Sequence, residues 1–186
     1  LQPLGRPGPV RREGQPLPAA GRVIDAEGQM VMPGFIDIHT HGSAGFDFCD
    51  GTLEAVEAVT KSKLREGVTT VLPTTLTVSA EQLKKTAAAV AEYARNPRFT
   101  KTPGLHLEGP FISRKLIGSQ NPDSVRPPCM EEVRALHAIM PVCIVSLAIE
   151  TDGAIEMIRE LNKMGIITSA AHSDATHEQF KAAKAA

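Results

Sequence analysis

The sequence has few cysteines, little net charge and no long apolar run. Its three cysteines, Cys49, Cys129 and Cys143, are an odd number without CxxC spacing, which argues against a disulfide framework and favours a reducing compartment. A formal net charge of −1 gives no general attraction to nucleic acids or membranes. No apolar stretch is long enough to cross a bilayer, and residues 1–9 lack the apolar core of a secretory signal. We therefore expect a cytoplasmic protein that binds neither nucleic acid nor membrane.

The length of 186 residues and the hydrophobic content of 42% suit one globular domain with a real core. Residues 1–20 are rich in proline, glycine and arginine and are predicted to be poorly ordered. The sequence begins with Leu1 and stops inside a helical pattern that starts near Glu178. We expect the sequence to be cut at both ends.

Strand and helix patterns alternate along most of the chain. A short strand–turn–strand is predicted within residues 22–32, with the turn at Glu27-Gly28. Five further strands, rich in β-branched and apolar residues, are predicted at 35–41, 68–72, 104–110, 142–148 and 166–172. Five helices follow them, with predicted N-caps at Thr52, Ser79, Asp152 and Thr176 and a further helix over 130–140.

Five consecutive strand–helix units imply a parallel sheet, since parallel neighbours need crossover helices. A doubly wound sheet and a (β/α)8 barrel both fit this pattern. The barrel is favoured because polar residues stand at the carboxyl ends of several strands, where barrel enzymes assemble their sites. Five units are not eight, so about three units of a barrel are expected to lie outside this chain.

Four of these polar residues are predicted to form a metal site. His39 and His41 project to one side of the first strand, because successive strand residues point to opposite faces. Glu108 ends the third of the five strands and His172 the fifth. Three imidazoles and a carboxylate are an ordinary ligand set for zinc or a similar cation.

Each of these residues also has a simpler interpretation. The histidine pair could lie on the surface or in the core, Glu108 could be a solvated turn residue, and His172 could bond to the helix that follows it. For Glu108 alone we would prefer the simpler interpretation, but the occurrence of all four at equivalent strand ends favours the metal. His106 lies deeper on the face of Glu108 and is interpreted as a packing or supporting residue.

Five motifs occur in order along the chain. They are Pro-Gly-Phe-Ile-Asp-Ile-His-Thr-His-Gly at 33–42, Leu-Pro-Thr-Thr at 72–75, Leu-His-Leu-Glu-Gly-Pro-Phe at 105–111, Gly-Ser-Gln-Asn-Pro at 118–122 and His-Ser-Asp-Ala-Thr at 172–176. Together they closely resemble the N-acetylglucosamine-6-phosphate deacetylase family of the amidohydrolase superfamily, and the resemblance covers residues 21–186. The resemblance implies a metal-dependent TIM-type barrel with a small β domain. Residues 21–33 would be a remnant of that β domain and residues 34–186 an incomplete barrel.

The resemblance also implies roles for particular residues. Glu108 and His172 would be metal ligands, and His39 with His41 would hold a second ion, with Glu108 bridging the two. Zinc is the expected metal and iron the alternative, with one or two ions bound. Ser119 and Gln120 match the substrate-contacting pair of the family, although both also suit a simple polar turn.

The activity that the resemblance implies is hydrolysis of the N-acetyl group of N-acetylglucosamine 6-phosphate, giving glucosamine 6-phosphate and acetate. The family's acid–base aspartate and its next metal-binding histidine would fall beyond residue 186, so the isolated chain is expected to be inactive. A homodimer is expected for the whole enzyme. Two alternatives stay open: an amidohydrolase that acts on cyclic amides, as dihydroorotases and hydantoinases do, and a fragment without catalytic activity.

Overall fold

The computed structural model describes residues 24–186, so the predicted disorder of residues 1–20 lies outside the described range. The chain divides into two compact units, residues 1–33 and 34–186. In the first unit the predicted turn is confirmed, because Gln29 N donates to the carbonyl of Ala26 at 2.7 Å. The predicted strand after the turn is wrong: residues 29–32 pair with no described residue, and a strand without a partner does not form. The assignment of residues 21–33 to a small β domain stays a prediction.

The second unit alternates strands and helices, as the sequence pattern predicts. Its strands are β1 (Phe35–Thr40), β2 (Gly42–Ser43), β3 (Phe46–Asp47), β4 (Val68–Thr75), β5 (Leu105–Glu108), β6 (Val142–Leu147) and β7 (Ile167–Ala170). Its α-helices are α1 (Leu53–Arg65), α2 (Ala80–Ala94), α3 (Met130–Ile139), α4 (Ala154–Lys163) and α5 (His177–Lys184). Within residues 24–186, no helix is both long and apolar enough to span a bilayer.

The long strands form one parallel sheet in the order β1-β4-β5-β6-β7, and β2 and β3 form a separate small hairpin. Apart from that hairpin, each strand pairs with the strand that precedes it in the chain. A helix covers each crossover, as parallel neighbours require.

Local capping explains most of the helix starts. Thr52 and Thr176 each accept a backbone N–H of their own first turn, as predicted. Ser79 also caps its helix as predicted. The predicted cap at Asp152 is wrong: the cap position of α4 is Gly153, whose φ of 83° lies in the left-handed region that favours glycine.

The core lies between the sheet and the helices that cover it. Its largest fully buried side chains come from strands, helices and loops alike, and include Phe48, Leu83, Leu107, Phe111, Leu136 and Met157. Strands β4, β5 and β6 are mostly buried, whereas the outer strands β1 and β7 are largely exposed or half-buried.

The sheet is curved. His39 lies on β1 and His172 follows β7, and these strands are the opposite edges of a five-stranded sheet whose flat width would be about 19 Å. Both side chains nevertheless lie within 3.5 Å of the same carboxylate oxygen of Glu108 on the central strand β5. Side chains stand roughly perpendicular to a sheet, so only curvature brings these three together on its inner side.

Candidate metal centre

Three histidines surround Glu108 at the carboxyl ends of the strands. His39 Nε2 lies 3.3 Å from Glu108 Oε1, and His41 Nε2 lies 3.1 Å from Oε2. His172 Nε2 lies 3.5 Å from Oε1. The potential ligand atoms of His39, His41 and Glu108 all lie within 4.8 Å of one another. All four residues of the predicted metal site are therefore brought together.

Two of the imidazoles are oriented by backbone carbonyls. His41 Nδ1 lies 3.2 Å from the carbonyl oxygen of Thr74, and His172 Nδ1 lies 2.8 Å from that of Leu116. A carbonyl oxygen only accepts, so Nδ1 of both rings carries the proton. When the rings are neutral, Nε2 of each carries the lone pair that faces Glu108, which is the state in which histidine binds a metal.

Glu108 is held by a neighbouring amide. Glu108 is only 6% exposed, and Gln120 Nε2 donates a hydrogen bond to Glu108 Oε2 at 2.6 Å. Gln120 Oε1 in turn accepts the backbone N–H of Thr77 at 2.7 Å. Both ends of this amide are therefore occupied, and the carboxylate orientation is fixed from the loop after β5.

The electrostatics of the cluster follow from this burial. Burial by itself raises the pKa of Glu108, but the hydrogen bond with His41 and the charges of His39, His41 and His172 outweigh it, and the pKa is lowered overall. For His41 the hydrogen bond with Glu108 is the largest influence, and it raises the pKa against the opposing effect of burial. The two shifts have one origin: the ionised carboxylate of Glu108 favours a positive charge beside it, which a proton on His41 or a bound cation supplies.

A divalent cation fits this donor set. When His41 and His172 are neutral with the proton on Nδ1, their Nε2 lone pairs face carboxylate oxygens that are also acceptors. Acceptors that face one another need either protons or a cation between them. Three imidazole nitrogens with one carboxylate are the nitrogen and oxygen ligands that zinc and similar first-row metals take in proteins.

A long loop after β5 completes the site on the His172 side. His172 has a φ of 47°, in the left-handed region, which costs a residue with a side chain about 1 kcal/mol. The loop supports it, since Ser113 N donates to the carbonyl of His172 at 2.9 Å. Gly118 lies so close that a β-carbon there would be 3.2 Å from His172 Cε1.

The predicted substrate residues Ser119 and Gln120 lie on this same loop. Ser119 is exposed, whereas Gln120 is buried and makes the two bonds described above. Their role in substrate binding stays a prediction. Sequence reasoning missed that Gln120 supports Glu108, and the signal for it, a glutamine in a glycine-containing motif twelve residues after Glu108, is weak.

His106 is a further histidine near the centre. It is buried on β5, two residues before Glu108, and its ring lies edge-on to that of His39 with 4.8 Å between the ring centres. Burial lowers its pKa, and the positive charge of His39 acts in the same direction, whereas its bond to the carbonyl of Ile38 opposes them.

Comparison with known proteins gives a family. The model of the amidohydrolase family matches residues 30–186. The N-acetylglucosamine-6-phosphate deacetylase of Lysinibacillus sphaericus is 32% identical over 163 residues, which are 86% of this chain and 42% of that protein. The N-acetylgalactosamine-6-phosphate deacetylase of Escherichia coli O157:H7 is 30% identical over 172 residues, or 91% of this chain and 45% of that protein.

Solved structures give the same result for the fold. A mutant N-acetyl-D-glucosamine-6-phosphate deacetylase from Mycobacterium smegmatis, in complex with N-acetyl-D-glucosamine-6-phosphate, superposes with a TM-score of 0.77 and 30% identity. The match covers 82% of this chain and 40% of that one. The predicted partial barrel of α/β type is confirmed by this likeness. The chain spans about two fifths of the length of the relatives it matches.

Proposed function

The chain belongs to the amidohydrolase family, and from that membership we propose that it carries the metal-binding part of a deacetylase active site. The proposed reaction is hydrolysis of the N-acetyl group of N-acetylglucosamine 6-phosphate to glucosamine 6-phosphate and acetate. Relatives with this activity in their names support the choice of substrate. One relative is named for the galactosamine isomer, so N-acetylgalactosamine 6-phosphate is the second substrate to test.

The proposed ligands are His39, His41, Glu108 and His172, which would hold one or two ions, with Glu108 shared if there are two. Zinc is the proposed metal, with iron as the alternative. When bound, such a cation lowers the pKa of a water molecule towards 7 and polarises the amide carbonyl of the substrate. The convergence of three imidazole nitrogens on one buried carboxylate carries this proposal.

The residues of this chain contribute by fixing their donor atoms in advance. The carbonyls of Thr74 and Leu116 hold two imidazoles in the tautomer that presents Nε2. Gln120 holds the carboxylate of Glu108, so the atoms need little rearrangement when charge develops nearby. This preorganisation is what a hydrolytic metal site requires.

Other parts of the proposal concern groups around this centre. Ser119 and Gln120 are proposed to line the substrate side of the site. The acid that protonates the leaving amine is assigned to an aspartate beyond residue 186, since within residues 24–186 Glu108 is the one carboxylate that lies within 4 Å of the ring nitrogens of these histidines. A cytoplasmic location and a homodimeric whole enzyme complete the proposal.

The test is a joint measurement of zinc content and amine release from N-acetylglucosamine 6-phosphate. The wild-type protein is compared with Glu108→Gln and with Glu92→Gln, an exposed glutamate on α2 that serves as the control. In the whole enzyme, which supplies the acid, we expect wild type and the control to bind zinc and release amine alike, and Glu108→Gln to lose both.

Each other outcome changes the conclusion in a defined way. Undiminished zinc binding by Glu108→Gln would refute the metal centre. Hydrolysis of dihydroorotate or a hydantoin in place of the sugar would assign a cyclic amide as the substrate. Faster release from N-acetylgalactosamine 6-phosphate would change the sugar, and zinc binding without turnover of any of these compounds would favour the non-catalytic alternative.

A further inference from the structure

His106 is the one buried histidine near the centre to which the proposed function gives no role. It lies on the inner face of β5, one layer below Glu108, with 3% of its surface exposed. Both ring nitrogens are occupied: Nδ1 lies 2.7 Å from the carbonyl oxygen of Ile38, and Nε2 lies 2.8 Å from Ser146 Oγ. The ring therefore joins β1 to β6 across the inner face of the sheet.

The two bonds are directional. The carbonyl of Ile38 only accepts, so His106 Nδ1 carries the proton, and in the neutral ring Nε2 accepts the hydroxyl of Ser146. Ser146 is 1% exposed and pairs in register with Glu108. A ring with both nitrogens satisfied at these distances has one fixed orientation.

The carbonyl that His106 binds lies in an irregular part of β1. Asp37 pairs with Val71 and Thr40 with Pro73, so three steps along β1 match two along β4. Such a shift releases backbone groups from the ladder and re-aims the side chains that follow. Side chains take up the released groups here: His106 binds the Ile38 carbonyl, and Asp37 Oδ1 accepts the N–H of His39.

We propose that His106 is a positioning residue that fixes the backbone of β1 at His39, and thereby the distance of His39 from Glu108. It acts on the residue preceding His39 through the Ile38 carbonyl, and on the His39 ring through their edge-on contact at 4.8 Å. This proposal rests on the proposed function for its consequence, which is metal affinity, but its structural part does not depend on a metal.

Two conservative variants separate positioning from packing. Asparagine places its amide nitrogen near the position of histidine Nδ1, so His106→Asn keeps a donor for Ile38. Glutamine reaches the position of Nε2, so His106→Gln keeps a partner for Ser146 and loses the donor for Ile38. Both variants remove the ring, and because asparagine is smaller than glutamine by one methylene, a role in packing alone would make His106→Asn the more damaged of the two.

The first measurement is titration of the protein with Co²⁺, followed by its visible absorption. We expect His106→Gln to weaken Co²⁺ binding by about 10- to 100-fold, the usual effect of losing a residue that orients a ligand. We expect the absorption bands of His106→Gln to shift as the geometry at His39 changes. His106→Asn should restore most of the wild-type affinity and its spectrum.

The second measurement uses the metal-free protein and nuclear magnetic resonance. We expect His106 to carry its proton on Nδ1. The backbone amide signals of Ile38, His39 and Thr40 should shift or broaden in His106→Gln and stay near their wild-type positions in His106→Asn.

The outcomes distinguish the two proposals. Equal effects of the two variants on the amide signals, or a proton on Nε2 of His106, would overturn the positioning role whatever the metal does. If the wild-type protein binds no Co²⁺ but the amide signals of His106→Gln shift as expected, the metal centre is refuted. His106 then stays the residue that positions His39.

Discussion

Strands β5 and β7 each have four residues, and each supports a residue of the site. Glu108 is the last residue of β5 and His172 follows β7, and the two are held in different ways. β5 lies between β4 and β6, and every one of its residues is buried. Among the described residues β7 pairs with β6 alone, and its Ile167 is 63% exposed. The first is a central strand and the second an edge strand.

The difference lies in where the positional precision comes from. Glu108 ends β5 itself and is fixed by burial and by Gln120. His172 stands two residues beyond β7, in a left-handed conformation, and its ring and its carbonyl are bound by Leu116 and Ser113 of the loop after β5. The sheet places the backbone of the central residue and the loop after β5 orients only its carboxylate, whereas the same loop holds both the ring and the backbone of the residue at the edge.

The largest loss of stability should follow from a substitution that removes the support of Glu108 on the central strand. Gln120→Leu leaves the N–H of Thr77 without its partner and removes a donor from Glu108. We expect the free energy of unfolding of the metal-free protein to fall by about 1–3 kcal/mol, the cost of buried polar groups without partners. Urea unfolding measures this change. Ser119→Ala is the matched control, since this exposed neighbour should change stability by less than about 0.5 kcal/mol. Equal stability of the two variants would show that the amide does not hold the carboxylate.

At the edge strand, Gly118→Ala should affect both stability and metal binding. The residue has a φ of 60°, and the added β-carbon would lie 3.2 Å from His172 Cε1. We expect a loss of stability of about 1 kcal/mol from the backbone, and weaker zinc binding because the ring of His172 is displaced. Thermal unfolding and zinc titration measure the two effects.

The control for this substitution is Gly165→Ala. Gly165 has a φ of 72°, but no atom lies within 4 Å of its β-carbon position. It should lose similar stability and keep full zinc affinity. If the two variants bind zinc equally well, the loop does not place His172.

The smallest effect on stability should come from replacing Glu150. This residue lies in the loop after β6 and accepts hydrogen bonds from the loop after β7. Burial raises its pKa, but hydrogen bonds from Ser173 Oγ at 2.5 Å and from the N–H of Asp174 at 2.7 Å outweigh burial, and the pKa is lowered. A lowered pKa means that the carboxylate stabilises the fold above the ordinary glutamate pKa, and that this stability is lost as the pH falls through the folded-state value.

We therefore expect wild type to be more stable than Glu150→Gln at pH 6, and the difference to shrink as the pH falls below about 4.5. Urea unfolding of the metal-free proteins at several pH values measures it. A difference that stays constant with pH would mean that the Glu150 charge contributes nothing to holding the edge strand.

Much of this fold is predictable because its signals are local. Runs rich in β-branched and apolar residues locate the five strands of the parallel sheet, and Thr52 and Thr176 begin their helices with their own side chains. The convergence of the site is predictable for a related reason. Carboxyl ends of parallel strands meet at one edge of a sheet, so residues such as His39 and Glu108 come together whatever the details of the loops.

The remaining features depend on the paths of loops and on non-local partners. The support of Glu108 by Gln120 exists because the loop after β5 folds back over that strand. The link from His106 to Ile38 depends on the register shift in β1, which no local pattern reveals. Residues 29–32 have an apolar pattern typical of a strand, but a pattern does not supply the neighbour with which a strand must pair.

The order of the sheet also has a consequence for how the molecule folds. Because each long strand pairs with its predecessor, the contacts of β1 with β4 and β5 form within the first part of the chain. His172 comes from the end of β7, whose pairing with β6 is the last in chain order. Parallel pairing across helical crossovers is slow compared with helix formation. We therefore expect the contact of His172 with Glu108 to form later in folding than those of His39 and His41.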